Sequence, residues 1–120
     1  MNKICTSLEQ SKKLLELGID VNTSDMGWNV FVDDTKRILP IDDWNLVKDG
    51  SGNVKFYPAW SLTALMELMN RNCYNVSLNC HGAEWNVKFD DSENYKDFTK
   101  DYAVDAAFEM IVWLLENKKL

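Results

Sequence analysis

The residues in this chain best suited to do chemistry are Cys73, Cys80 and His81, which fall within nine positions of one another. A structural zinc site needs four soft or imidazole ligands converging on one point. Cys73 and Cys80 differ by an odd number of residues, so on one extended strand they project to opposite faces. His81 belongs to a predicted turn. The spacing therefore argues against a metal centre. It also gives no nucleophilic Cys–His pair, which would need both groups to meet and a third to orient them. His81 is the chain's single histidine, and no G-x-S-x-G elbow is present to raise a serine nucleophile. We assign no catalytic, metal or cofactor-binding residue from the sequence.

Two other stretches invite a functional reading. "DGSGN", residues 49–53, is rich in glycine. It lacks the lysine of a phosphate loop and runs into a strand pattern rather than a helix. Read as an EF-hand it puts Val54 where glycine is required and Trp60 where a bidentate glutamate is required. Asp101, Asp105 and Glu109 recur at four-residue steps, which places them on one face of a predicted helix. Asp90, Asp91, Glu93 and Asp97 precede them in a predicted loop. Repulsion at that spacing costs a few tenths of a kcal/mol per pair, so an ordinary solvated face explains the pattern. The functional alternative is a docking surface for a basic groove, a mimic of nucleic-acid charge directed at a host enzyme.

The elements that would carry these groups are legible in part. Thr6/Glu9 and Ser7/Gln10 both fit a capping box, and Gly18 stands where a left-handed cap belongs. They bracket a helix over about residues 7–17. "WNVFVDD" predicts a short strand with Trp28, Val30 and Val32 on one side. "WNLVKDGSGNVKFY" predicts a hairpin closing over Asp49–Asn53 with Leu46 opposite Phe56. "YPAWSLTALMELM" predicts a helix begun either by Pro58 in its first turn or by Ser61 as cap, and ending near Asn70. Its apolar stripe is Trp60, Ala64, Leu68, Leu65 and Met69. The bland reading of this stripe is core; the sharper one is a Met/Trp groove for a partner peptide.

"YNVSLNCHGAEWNVKF" predicts a second hairpin, with His81-Gly82 as the turn. That register sets Leu78 against Trp85, Val76 against Val87 and Tyr74 against Phe89. It sets Asn79 against Glu84 and Ser77 against Asn86 on the other side. Side chains alternate faces, so one side packs on a core and the other meets water. The last helix is predicted over about residues 99–117, with Ala103, Ala106, Ala107, Met110, Ile111, Leu114 and Leu115 forming a wide apolar stripe. Trp60, Trp85 and Trp113 are expected in the core.

The expected fold is a single α+β domain spanning residues 1–120. Its mostly antiparallel sheet would be built from two hairpins and covered on one face by about three helices. A chain of 120 residues can bury about two-thirds of its unfolded surface without a metal or disulfide staple. The net charge of −6 disfavours direct binding to nucleic acid or an anionic membrane. Three cysteines without framework spacing suit a reducing compartment. No apolar run has the length of a signal peptide or a membrane span. A cytoplasmic location is the resulting expectation.

The runs "SKKLLELGID", "YPAWSLTALMELM", "YNVSL" and "AAFEMIVWLLENKKL" resemble small uncharacterised proteins encoded in prophages and mobile elements of gut anaerobic bacteria. They cover 43 of the 120 residues, about a third of the chain. The resemblance implies a phage-associated context and carries no catalytic motif, no chemistry and no site residues. The functional expectation is a non-catalytic accessory or protein-interaction protein with a protein partner. The alternatives are a small enzyme, a ligand-sequestering protein with a Trp-lined pocket, and the acidic mimic. A partner surface is sought first at Trp28, Trp44, Asp101, Asp105 and Glu109.

Overall fold

A computed structural model describes residues 3–31, 36–40, 54–72 and 75–120. These form an α+β fold with two three-stranded antiparallel sheets and three α-helices. The strands are thus shared between two sheets, not gathered into one. The chain divides into two compact units, Cys5–Ser61 and Leu62–Leu120, the second joined by the residues ahead of Cys5. Among the described residues no helix is long and apolar enough to cross a membrane.

In the first unit, helix α1 runs Leu8–Glu16. Of the two capping boxes the sequence offers, Ser7/Gln10 is the one used. The Ser7 hydroxyl accepts from the Gln10 N–H, and the Gln10 side chain accepts from the Ser7 N–H. Thr6 is thereby released for another task. The helix ends in a Schellman motif: Gly18 has φ +90, its N–H reaches the Leu15 carbonyl, and the Ile19 N–H reaches the Leu14 carbonyl.

Strands β1 (Met26–Phe31), β2 (Lys36–Pro40) and β3 (Val54–Ala59) form a sheet in the order β2-β1-β3. The predicted strand at Trp28 is its centre. Trp28 lies between Ile38 and Tyr57 in register. The predicted pairing of Leu46 with Phe56, the "DGSGN" turn and Val32 lie outside the described residues. Phe56 pairs with Asn29 of β1. Pro58 belongs to β3 rather than to a helix, and it is buried.

Thr6 is the joint of this unit. Its N–H donates to the Trp60 carbonyl at 2.9 Å, and its hydroxyl oxygen accepts from the Trp60 N–H at 3.1 Å. The same hydroxyl shares a hydrogen bond with Ser11 at 2.8 Å, and the Thr6 carbonyl accepts from the Trp28 indole at 2.9 Å. Thr6, Ser11 and Trp60 are fully buried. The Trp60 indole donates to the Thr23 hydroxyl at 2.9 Å. Among the described residues of this unit, no buried side-chain nitrogen or oxygen lacks a hydrogen-bond partner, as the cost of a buried orphan demands. Ser61 donates to the Asp25 carboxylate through both its N–H and its hydroxyl.

The second unit holds α2 (Leu62–Asn72), β4 (Val76–His81), β5 (Glu84–Asp90), β6 (Tyr95–Lys100) and α3 (Ala103–Glu116). In α2 the buried residues are Ala64, Leu65, Leu68 and Met69, while Leu62 and Met66 are half-buried and Glu67 is exposed. These are four of the five residues of the predicted stripe; the fifth, Trp60, precedes the helix. Helix α3 buries Val104, Ala106, Ala107, Phe108, Met110, Ile111 and Leu114 and packs against α2, β5 and β6. The Trp113 ring lies 5.7 Å from that of Phe89. Trp60 is core, whereas Trp85 and Trp113 keep part of their surface in solvent.

The second hairpin forms with a changed register. Val76 pairs with Phe89, Leu78 with Val87, Cys80 with Trp85 and His81 with Glu84. The turn is therefore Gly82-Ala83, not His81-Gly82. Glycine takes the first central position with φ +63, as a two-residue hairpin with a single positive φ requires. The shift is by two positions, so each residue keeps its face. This is why the expected sorting into apolar and polar sides survives the wrong turn.

Candidate interaction surface

Strand β6 was hidden in the acidic stretch, and it changes where the acidic groups lie. Lys96 pairs with Phe89, Phe98 with Val87 and Lys100 with Trp85. Asp97 and Thr99 flank Lys88 and Asn86 on the opposite face. The mixed charges of "YKDFTK" masked a strand whose available signal was Tyr95, Phe98 and Thr99, all residues that favour extended backbone.

The chain reaches β6 through a turn built by Asp91. Its carboxylate accepts the N–H of Glu93 at 2.9 Å and of Asn94 at 2.6 Å, and it lies 3.4 Å from the Lys119 ammonium. These backbone bonds first, and Lys119 after them, hold the Asp91 carboxyl below the ordinary aspartate value. Its role is local architecture of the kind aspartate commonly takes in turns.

With Tyr95–Lys100 taken up as strand, α3 starts at Ala103, and Asp101 falls in the turn before it. Asp101 is exposed. Asp105 is in the first helical turn, where a negative charge complements the helix dipole, and it forms an ion pair with Lys3. Glu109 is half-buried one turn on. The three do not make the uniform acidic stripe that their spacing suggests. Trp28 is half-buried with its indole bonded to Thr6, and Trp44 lies outside the described residues. Cys73 does too. Cys5 is buried and Cys80 exposed. Among the described residues, no group of three or more His, Cys, Asp or Glu side chains could hold a metal ion.

What the second sheet does assemble is a polar face opposite α3. Ser77, Asn79 and His81 line it from β4, Glu84, Asn86 and Lys88 from β5, and Tyr95, Asp97 and Thr99 from β6. All are exposed except Lys88, which is half-buried, and Asn86. Asn86 is 3% exposed at the centre. Its amide donates to the Thr99 hydroxyl at 2.9 Å and the Asp97 carboxylate at 3.1 Å. These bonds turn its Oδ1 away from β6, and that atom is buried without a hydrogen-bond partner among the described residues. Tyr95 is 57% exposed. No family model matches the sequence, and neither the curated proteins nor the solved structures contain a match.

Proposed function

We propose that this chain is a non-catalytic interaction protein, the accessory of a phage or related element to which its sequence runs point. The partner docks on the polar face of the second sheet. The observation that carries this reading is Tyr95, held out at 57% exposure beside neighbours that are almost all polar. A tyrosine there offers apolar area at low entropic cost together with a hydroxyl, the profile of an interface anchor. Lys88, Asp97 and Glu84 would set orientation through charge, and charges of both signs suit a protein surface better than a polyanion.

The test is affinity capture from the native host with chemical cross-linking. One protein should be captured in constant ratio and cross-linked to β5 or β6. Tyr95→Ala combined with Lys88→Glu should reduce its recovery at least tenfold, while Lys12→Ala, in the first unit, leaves it unchanged. Recovery unaffected by the face variants would overturn the assignment.

A further inference from the structure

The two sheets leave four outer strands among the described residues, and three of them are guarded. β2 carries Lys36 and Arg37, β3 carries Lys55 and Pro58, and β6 carries Lys96, Asp97 and Lys100. Charge and proline on an outer strand discourage pairing with another chain. β4 is different. Val76–His81 contains no Lys, Arg, Asp, Glu or Pro, and its outer side meets no other strand among the described residues.

Hydrogen bonding shows which of its backbone groups point outward. The Asp90 N–H donates to the Asn75 carbonyl at 3.2 Å. In an antiparallel ladder, residues alternate between bonding one neighbour and facing the other way. Asn75, Ser77, Asn79 and His81 therefore turn their N–H and C=O groups toward β5. Closure of the two-residue turn between His81 and Glu84 requires the same parity. Val76, Leu78 and Cys80 direct theirs away from the sheet.

We propose that two copies of this chain associate by antiparallel pairing of β4 with β4 about a two-fold axis at Leu78. The pairing joins two three-stranded sheets into one of six strands. Leu78 then meets Leu78, and Val76 meets Cys80 on either side. These are the residues whose backbone groups point away from β5, where no other described strand lies, and their reciprocal exchange gives about six main-chain hydrogen bonds by the antiparallel pattern. On the other face Ser77 meets Asn79. Every row pairs apolar with apolar or polar with polar, and no like charges face each other. Val76 and Leu78 are half-buried and Cys80 is exposed in the single chain, so the mate covers apolar surface that the monomer leaves open. Self-complementarity of this kind is what a two-fold interface requires. β6 could not do the same about Phe98, because Lys96 would meet Lys100.

In this register the two Cys80 residues lie four positions apart along the paired strands, about 13 Å by strand rise, so no disulfide links the copies. Light scattering on size-fractionated protein under reductant should show the mass double as concentration rises. Cys80→Lys places a charge against the mate's Val76, and Cys80→Pro removes an N–H that β5 does not use. Both should remain at monomer mass with an unchanged circular dichroism spectrum, while Lys96→Ala on β6 still doubles. For the unmodified chain, amide exchange at Val76, Leu78 and Cys80 should slow at least tenfold as the dimer forms. A wild-type mass that never doubles overturns the proposal. So do a dimer that reductant dissolves, one that survives in the folded Cys80 variants, or one whose Val76, Leu78 and Cys80 amides exchange freely.

Discussion

Replacing Thr6 with valine keeps the shape of the side chain and deletes one oxygen. That oxygen accepts from the Trp60 N–H at 3.1 Å and bonds the Ser11 hydroxyl at 2.8 Å, with all three residues fully buried. No water reaches the groups left behind. An orphaned buried donor costs about 1–3 kcal/mol. The Ser11 hydroxyl can turn back to the carbonyl four residues earlier, so the Trp60 N–H bears most of the penalty. We expect Thr6→Val to destabilise the protein by about 2–3 kcal/mol, a large share of the roughly 5–15 kcal/mol typical of a folded domain. Thr6→Ser keeps the oxygen and should cost about 1 kcal/mol for one lost methyl group. Urea unfolding followed by tryptophan fluorescence reads both, because Trp28 and Trp60 lie in the same network. A Thr6→Val variant within about 0.5 kcal/mol of wild type, the range of neutral surface substitutions, would refute the reasoning. So would a valine variant no worse than the serine one.

The backbone predicts two further outcomes and one carboxylate a third. Helix α3 ends with Lys118 at φ +56, in the same bonding pattern that Gly18 makes after α1. Lys118→Gly should therefore stabilise by up to about 1 kcal/mol, and Gly18→Ala should destabilise by about the same amount, since no neighbour lies within 4 Å of the added methyl; thermal melts check both signs. Asp91 has its carboxyl lowered below 3.8 by the Glu93 and Asn94 N–H groups and then by Lys119. Its contribution is therefore fully present above the unfolded value and is lost as pH falls through the folded one. Asp91→Ala should be less stable than wild type near neutral pH, and the gap should close in strong acid; a gap that does not vary with pH would rule this out.

The short-range features of this protein were written in its residue order. Ser7, Gln10 and Gly18 bracket α1 because caps are bonds between residues at most a few positions apart. The buried stripe of α2 follows from Leu65, Leu68 and Met69 at helical spacing. In β4 and β5 the alternation of apolar and polar residues assigned each side chain to its face, even though the turn was placed one residue early. A two-position slip preserves parity, so alternation cannot detect it; the φ of Gly82 does. Tertiary structure decided what depended on distant partners. Tyr95–Lys100 is a strand because β5 offers a free ladder beside it, and that pairing moved the start of α3 and separated Asp101 from Asp105 and Glu109. Thr6 looked like one of two caps, but its hydroxyl meets Trp60 across 54 positions of chain. The division of the described strands into two sheets, with β4 at the edge of the second, arises from pairing between segments far apart in the chain. Periodicity reports which way a side chain points; only the fold determines what it meets there.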